Sequence, residues 1–290
     1  MEKKIKNTIS YVILGLLGII FMFPVVITFT NSLMTRQEID MKYTSRVTAE
    51  NHFGTEGNIH FVEMDIVPQK VTFRQYYDLF TQNPAYMGAF FNSAKITVPV
   101  VLGQLVIGIV MAYCFENANI RFKEHIFFLY ILVMFMPLQV TLVPNYMTVE
   151  FLKINGSYLA IILPGIFSPF SVFLFRQYMK GLPKEYIEAA RIDGAGHLRI
   201  ISMIVSPLMK PAVAVMVILT FTSYWNIVEQ AIIFIKEAYN EPLSSYLPRM
   251  AVENMGMMFA ASCFYMLPAL IIFVYGRKNM LSGMSQSLKI

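Results

Sequence analysis

Five side chains suited to hydrogen bonding or ring stacking interrupt otherwise apolar stretches of the sequence. They are Asn92, Lys95, Trp225, Asn226 and Glu229. On a helix, Trp225, Asn226 and Glu229 would share one face and place an aromatic plane beside hydrogen-bonding groups. That combination suits a sugar, whose ring has apolar faces and a rim of hydroxyl groups. We therefore predict that these five residues line a substrate pathway.

Simpler interpretations exist for some of these residues. Lys95 can extend its ammonium group to the membrane surface while its methylene groups stay in apolar surroundings. The cluster around Trp225 can instead pack its helix against a partner subunit in the membrane. A charge inside a membrane is nevertheless costly, so Lys95 and Glu229 are by default candidates for a functional site.

A second group of residues lies in the polar segment 181–207. Pro183 suits the start of a short helix of about three turns, because its missing N–H has no intrahelical partner there. Gly194 suits the left-handed residue that ends such a helix. One predicted face of this helix carries Tyr186, Ala189, Ala190 and Asp193. The paired alanines allow a partner to approach this face closely. The alternative is an ordinary helix on the membrane surface.

Residues for enzymatic chemistry form no recognisable pattern in this sequence. The four histidines include no H-E-x-x-H motif, and the two cysteines are far apart. No G-x-x-x-x-G-K-[ST] loop for nucleotide phosphates occurs either. The sequence therefore predicts no catalytic residue, no metal site and no cofactor bound by this chain.

Membrane helices are the elements that must position these residues. The chain has 290 residues, of which 56% are hydrophobic and 14% charged, and its mean hydropathy is +0.55. This composition excludes a soluble enzyme, a disordered protein and a nucleic-acid-binding protein. A helix needs about 20 apolar residues to cross a bilayer. The sequence predicts an all-α integral membrane protein with six such helices at residues 8–30, 90–114, 126–146, 158–178, 211–235 and 257–275.

Basic residues predict the orientation of these helices. Lysines and arginines precede the first span, separate the fourth from the fifth, and follow the sixth. Positively charged segments stay in the cytoplasm, so both termini and the segment 181–207 are predicted to be cytoplasmic. A cleaved signal peptide is the alternative for the first span, but its long apolar run and the lack of a clear A-x-A site favour a retained helix.

We predict two regions along the chain. Residues 1–85 hold the first helix and a long extracytoplasmic loop, and residues 86–290 hold five helices with the cytoplasmic segment 181–207. A loop of this length is usually functional or partly disordered. Within it, the stretch FRQYYDLF at 73–80 predicts a short helix near the membrane surface, as an aromatic anchor or as a binding site.

The segment 181–207 also carries a recognisable string of residues, Glu188-Ala189-Ala190-Arg191-Ile192-Asp193-Gly194-Ala195. With the downstream Ile204-Val205-Ser206-Pro207-Leu208, it resembles the EAA loop of ATP-binding-cassette (ABC) importer permeases of the carbohydrate-type, MalG-like family. Further stretches similar to this family lie between residues 91 and 235: Phe91-Asn92-Ser93, Met136-Pro137-Leu138-Gln139, Pro144-Asn145-Tyr146, Phe175-Arg176-Gln177-Tyr178 and Trp225-Asn226.

The resemblance implies a type I importer permease fold and half of a translocation pathway for a sugar or oligosaccharide. It implies a heterodimer with a second permease subunit and an extracytoplasmic sugar-binding protein in a bacterial cytoplasmic membrane. ATP and Mg would be bound by a separate ABC ATPase dimer, and this chain would be non-catalytic.

The resemblance further implies that the segment contains a coupling helix that docks on the ATPase. The residues expected to form this contact are Tyr186, Glu188, Ala189, Ala190, Arg191, Asp193, Gly194, Ala195 and Gly196. On this basis we expect Ala190→Glu or Gly194→Arg to uncouple transport from ATP hydrolysis while the membrane part stays folded.

Two features depart from the family pattern. The outer segment 44–65 is longer than usual, and Ser206 stands where an apolar residue is common. Two functional alternatives stay open at this point. One is a secondary transporter driven by an ion gradient, and the other is an ABC importer permease for a solute that is not a sugar.

Overall fold

The structure is a computed structural model that describes residues 2–44, 67–118 and 121–287. Every regular element in these ranges is helical, which confirms the predicted all-α class. The enlarged outer segment is the main feature that lies outside the described residues, since only Thr44 of the range 44–65 is included.

The N-terminal part of the chain forms four helices, and a π-helical turn, Asp40–Thr44, follows the second of them. The short helix predicted around residues 73–80 is confirmed. The four N-terminal helices are α1 (Glu2–Ser32), α2 (Arg36–Ile39), α3 (Arg74–Gln82) and α4 (Pro84–Asn117). The confirmed short helix is α3.

The middle of the chain forms five shorter helices. Proline occupies the first position of one of them, α8, where its missing N–H has no intrahelical partner. The five helices are α5 (Lys123–Met134), α6 (Leu138–Phe151), α7 (Leu159–Ile166), α8 (Pro169–Lys180) and α9 (Glu185–Ile192).

The C-terminal part contains six helices and two short turns. A π-helical turn, Ile201–Val205, joins the first two helices, and a 3₁₀ turn, Ala238–Asn240, precedes the fifth. The helices are α10 (His197–Ile200), α11 (Ser206–Leu208), α12 (Lys210–Trp225), α13 (Glu229–Phe234), α14 (Leu243–Glu253) and α15 (Met255–Ser287).

Four of the six predicted membrane spans appear as helical segments long and apolar enough to cross a bilayer. Within the described residues these are Ser10–Ser32, Pro84–Asn117, Leu159–Lys180 and Met255–Met280. They correspond to the first, second, fourth and sixth spans of the sequence prediction.

The third predicted span coincides with a bent helix pair, whereas the fifth coincides only with the second half of another, whose first half, residues 197–208, lies mostly in the segment predicted to be cytoplasmic. The axes of α5 and α6 differ by 101°, and those of residues 197–208 and α12 by 80°. Pro137 starts the second half of the first pair, since it has no N–H with which to continue α5. The prediction of one helix over 211–235 is wrong, because α12 ends at Trp225 and α13 begins at Glu229. Six spans result if each bent pair counts as one.

The chain forms two compact units. One comprises Met1–Gly88 and Tyr246–Leu267, and the other comprises Ala89–Ser245 and Pro268–Ile290. The predicted regions, 1–85 and 86–290, follow the order of the sequence, whereas the first unit also takes in residues 246–267. All residues predicted to line the pathway or to contact the ATPase belong to the second unit.

Aromatic contacts help to hold the first unit together. Tyr86 is fully buried and donates a hydrogen bond from its hydroxyl to the Ala261 carbonyl at 3.0 Å. Phe80 of α3 meets the ring of Phe264 edge to face, with 5.2 Å between the ring centroids. These contacts fix α3 and the start of α4 against residues 246–267.

A buried carboxylate in the same unit joins the two segments that flank residues 45–66. Glu38 accepts hydrogen bonds from the Gln69 backbone N–H at 3.0 Å and from Lys42 Nζ at 2.9 Å. Burial raises the pKa of the Glu38 carboxyl, but the Gln69 N–H and the Lys42 ammonium lower it by more. The net pKa of Glu38 therefore lies below its ordinary value.

We expect the Glu38 contact to weaken in acid. Because the folded-state pKa is lowered, its contribution to stability is complete above the ordinary pKa of 4.5 and is lost as the pH falls through the folded value. As the pH falls below 4.5, the protection of the Gln69 amide against hydrogen exchange, corrected for intrinsic rates, should fall. In Glu38→Gln, which keeps an acceptor oxygen but has no carboxyl to titrate, the protection should be independent of pH. The prediction would be contradicted if the protection of the Gln69 amide in the wild type did not change with pH.

Candidate functional site

The helix α9 ends in the cap that the sequence predicts. Gly194 has a φ of +78°, which is a left-handed conformation that favours glycine. Its N–H donates to the Arg191 carbonyl at 3.0 Å, and the Ala195 N–H donates to the Ala190 carbonyl at 2.9 Å. This pair of bonds is a Schellman motif. The helix has 8 residues, about two turns rather than the predicted three.

One of the two paired alanines faces inward. Ala190 is only 8% exposed and belongs, with Ile187, to the hydrophobic core of the second unit. Ala189 and Asp193 are exposed, and Tyr186 is 56% exposed. The expectation that both alanines form one docking face is therefore wrong for Ala190, because the helix uses that position to pack on the membrane helices.

The turn after α9 presents apolar side chains that the sequence analysis did not select. Ile192 is 87% exposed and Leu198 is 80% exposed, on either side of the glycines Gly194 and Gly196. Exposed apolar side chains rimmed by polar residues mark contact surfaces. Their position beside the two glycines is the sequence signal that could have identified them. The assignment of the nine residues to an ATPase contact stays a prediction.

The second half of the segment is tied to α4. Tyr113 of α4 is buried, and its hydroxyl lies 3.0 Å from Nδ1 of His197 at the start of α10. Beside this contact, a cavity of about 670 Å³ is lined by Asn117, Ala118, Arg191, Gly194, Ala195, Gly196, His197 and Ile200. The exposed turn is therefore anchored to a membrane helix.

Ser206 has a local structural role that explains its presence. Its hydroxyl donates to the Ile201 carbonyl at 2.8 Å, across the π-helical turn. An apolar residue could not make this bond, so the serine stabilises the turn that leads into Pro207.

A buried arginine fixes the helix that precedes α9. Arg176 of α8 is 1% exposed, and its Nη2 donates to Glu124 of α5. Its Nε lies 3.6 Å from Oε2 of Glu116 at the end of α4. The guanidinium also lies over two aromatic rings, 4.0 Å from the centroid of Phe127 and 5.7 Å from that of Phe115. One side chain thus joins α4, α5 and α8.

A polar cavity of about 560 Å³ lies where two membrane helices are interrupted. It is bordered by the start of α6, after Pro137, and by the gap between α12 and α13. Irregular backbone at membrane depth is tolerated where it lines a cavity or is buried in protein. The lining residues are Leu138, Gln139, Ser223, Tyr224, Asn226, Ile227, Val228, Glu229 and Gln230.

Two of the five predicted pathway residues, Asn226 and Glu229, line this cavity. Gln139, Ser223 and Gln230 line it as well and were not selected from the sequence. Pro137 was the available signal, because a proline inside an apolar stretch marks a break that exposes the following polar side chain.

Trp225 is not part of the cavity lining. It is 2% exposed, its ring stacks on Phe221 at 5.1 Å, and it meets Phe90 edge to face at 5.3 Å. The predicted common face of Trp225, Asn226 and Glu229 is wrong, because the helix ends at Trp225. Trp225 thus packs α12 against α4 within this chain, and the alternative of a contact with a partner subunit stays a prediction.

Asn92 and Lys95 form a separate group. Asn92 is buried, and its Nδ2 donates to the carbonyls of Tyr239 at 2.8 Å and Glu241 at 3.2 Å. The Nζ of Lys95 lies 3.4 Å from Asn92 Oδ1 and 5.9 Å from the centroid of the Tyr158 ring. Asn92 therefore holds the segment between α13 and α14, and neither residue lines the cavity beside Asn226.

Comparison with known proteins identifies relatives over most of the chain. The permease protein AraQ of the arabinooligosaccharides transport system of Bacillus subtilis (strain 168) is 34% identical over 228 residues, which are 77% of this chain and 81% of AraQ. The melibiose/raffinose/stachyose import permease protein MelC of the same organism is 30% identical over 226 residues, 76% of this chain and 82% of MelC.

A solved structure shows the same fold. A chain of a bacterial ABC transporter involved in the import of the acidic polysaccharide alginate matches with a TM-score of 0.77 and 20% identity, over 96% of this chain and 97% of that chain. The two chains therefore share one fold, which with the family match described next is that of a type I ABC importer permease.

A family match completes the comparison. Residues 104–277 match the family described as binding-protein-dependent transport system inner membrane component, which is more than half of the chain. This match and the similarity to AraQ agree with the EAA-like string at residues 188–195. The chain therefore belongs to the binding-protein-dependent transport system inner membrane components, the multi-pass permeases of ABC importers.

Proposed function

We propose that this permease forms half of the translocation pathway of a bacterial importer for a sugar or oligosaccharide. It pairs with a second permease subunit in the cytoplasmic membrane, with both termini in the cytoplasm. An extracytoplasmic sugar-binding protein delivers the substrate, and a separate ABC ATPase dimer binds ATP and Mg. The names of AraQ and MelC, both of which transport oligosaccharides, support this substrate class.

The polar cavity at the two helix breaks is the observation that carries the substrate assignment. Side-chain amide, hydroxyl and carboxylate groups of Gln139, Ser223, Asn226 and Glu229 line one space of about 560 Å³. Groups of these kinds donate and accept hydrogen bonds and so match the hydroxyl rim of a sugar. Discontinuous membrane helices commonly form the substrate sites of transporters.

The exposed turn around Gly194 supports the proposed contact with the ATPase. Its apolar side chains, Ile192 and Leu198, lie beside the exposed residues Ala189 and Asp193. The turn is anchored to the membrane helices through Ala190 and Tyr113, so a force applied to it reaches the core of the unit.

Membership of the family argues against the secondary-transporter alternative. Binding-protein-dependent permeases work with an ATPase rather than with an ion gradient, so the gradient-driven interpretation has lost its basis. An importer permease for a non-sugar solute is the competing assignment. A substrate panel of arabino-oligosaccharides, galactosyl oligosaccharides and non-sugar solutes distinguishes the two.

Variants of the cavity test the proposed pathway. We expect Gln139→Ala and Asn226→Ala to raise the KM for oligosaccharide uptake about fivefold each, because each removes about one net hydrogen bond to substrate. Thr222→Val is the matched control. The Thr222 hydroxyl donates to the Ile218 carbonyl and the Asn226 Nδ2 donates to the Thr222 carbonyl, each at 2.8 Å, so both side chains bond to α12. The control differs in lying outside the cavity lining.

The measurement is uptake by proteoliposomes that contain the whole transporter, at equal permease abundance. Uptake that is selective for one class of oligosaccharide, with a raised KM in both cavity variants and an unchanged KM in the control, supports the proposal. Unchanged kinetics in Gln139→Ala and Asn226→Ala would remove the cavity from the pathway.

A further inference from the structure

The break between α7 and α8 leaves a backbone carbonyl without its usual donor. In a continuous helix, the N–H of residue 169 would donate to the carbonyl of residue 165. Here the helix ends at Ile166, the backbone of Phe167 and Ser168 is not helical, and residue 169 is a proline that begins α8 and has no N–H. The Gly165 carbonyl is buried within an apolar span, where an unpaired backbone group is costly.

A side chain from another helix replaces the missing donor. Gln104 of α4 is 3% exposed, and its Nε2 donates to the Gly165 carbonyl at 2.7 Å. The hydroxyl of Thr220 on α12 donates to Gln104 Oε1 at 2.9 Å. The two bonds orient the amide, with its NH₂ toward Gly165 and its oxygen toward Thr220. One buried chain of hydrogen bonds thus joins α12, α4 and α7.

Glycines bring these three helices close enough for the amide to reach. A Cβ atom at Gly103, the neighbour of Gln104, would lie 2.6 Å from the Ile166 side chain. A Cβ atom at Gly165 would lie 2.7 Å from the Tyr224 hydroxyl of α12. Both approaches occur at the level of the Gln104 amide, so the helices meet where the carbonyl lacks its donor.

The helix beyond the break leads directly to the exposed turn. Phe175 and Met179 of α8 belong to the same hydrophobic core as Ile187 and Ala190 of α9. The direction of α8 therefore sets the position of α9. An interaction that fixes the angle between α7 and α8 at the Ser168–Pro169 break therefore also fixes the position of the proposed ATPase contact.

We propose that Gln104 is a positioning residue of the transport cycle, whose amide supplies the donor that the Gly165 carbonyl lacks at the helix break and so holds α8 and α9 in register with α4 and α12. This role rests on the proposed function, because it matters for transport only if α9 receives the movement of the ATPase. It is a role in coupling, and Gln104 does not touch the substrate.

A double-variant cycle tests whether Gln104 and Pro169 act together. We expect Gln104→Leu to lower the ratio of substrate transported to ATP hydrolysed by about fivefold or more, because the Gly165 carbonyl loses its donor. Pro169→Ala removes the ring that keeps residue 168 out of the helical conformation, so that a helix continuing through residue 169 regains its own donor to the Gly165 carbonyl. In the Pro169→Ala background, Gln104→Leu should therefore change the ratio by less than about twofold. An equal loss in both backgrounds would overturn the proposal.

Gln104→Glu supplies a readout that a purely structural role would not move. A protonated carboxyl can donate to the Gly165 carbonyl and accept from Thr220, whereas a carboxylate has no hydrogen to donate. We expect this variant to couple normally at low pH and to lose coupling as the pH rises, relative to the wild type at each pH. A pH profile identical to that of the wild type would count against the proposal.

A distance measurement separates this proposal from the substrate assignment. Spin labels at the exposed positions Glu185 and Thr222, in the whole transporter, should give a broader distance distribution in Gln104→Leu and a narrow one again in the double variant. This readout needs no substrate. Narrow distances in Gln104→Leu would overturn the positioning role. If the wild-type transporter carries no sugar but the distance distribution still broadens in Gln104→Leu, only the proposed function is overturned. If Gln104→Leu accumulates too little for transport assays, the distance distribution between the same labels can be compared in Gln104→Glu at two pH values.

Discussion

Ala190→Glu should remove the folded permease from the membrane rather than merely uncouple it. Ala190 is packed in the core of the second unit with Ile187, Ile200 and Met209. A carboxylate placed there has no room and no partner, and an uncompensated buried charge costs about 3 kcal/mol or more. This expectation replaces the sequence-based one, in which the membrane part stayed folded.

Ala189→Glu is the matched control, since it makes the same change one residue earlier, where the side chain is exposed. We expect this variant to accumulate to wild-type abundance and to show a defect only in ATP-coupled transport. The measurement is the monodisperse fraction of permease in mild detergent, together with the transport rate. Wild-type abundance of Ala190→Glu would show that the packing of α9 described above is incorrect.

Arg176→Met should destabilise the second unit by about 3 kcal/mol. The guanidinium joins Glu116 and Glu124 and covers the Phe127 ring, and its removal leaves the largely buried Glu116 without that cation. Breaking a buried ion pair costs about 3–5 kcal/mol. The lower value applies, because the Glu124 side chain is 62% exposed and is solvated after the change.

Gln177→Met controls for the substitution itself, because Gln177 is the exposed neighbour of Arg176 on α8. Thermal unfolding of the two variants in detergent, followed by intrinsic fluorescence and aggregation, measures the difference. Arg176→Lys should rescue the stability only in part, since an ammonium group lacks the planar fork and stacks less well on Phe127. Equal unfolding temperatures for Arg176→Met and Gln177→Met would contradict the assigned role of the arginine.

Hydropathy predicted the spans well because lipid imposes one strong requirement on every membrane helix. Four spans are helical segments at the expected places, and the other two coincide wholly or in part with bent helix pairs. The left-handed cap at Gly194 was also predictable, since few residues other than glycine adopt a positive φ at low cost. These features depend on local composition and on single residues.

The arrangement of polar side chains was less predictable because it depends on where helices break and what they pack against. An unbroken helix through Trp225 and Glu229 would have placed both side chains on one face. The break after Trp225 instead buries the tryptophan against Phe221 and places Asn226 and Glu229 at a cavity. Likewise, the pattern of α9 did not show which alanine faces the membrane helices.

The most direct test of the central claim is the ATPase activity of the purified assembly. The permease is extracted in mild detergent from its native membrane, its co-purifying subunits are identified, and ATP turnover is measured with and without substrate-loaded binding protein. The account predicts a second permease and an ATPase whose turnover rises with a binding protein loaded with oligosaccharide, and falls back in Ala189→Glu. The account would be contradicted if the permease purifies without other subunits, or if ATP turnover does not change when loaded binding protein is added.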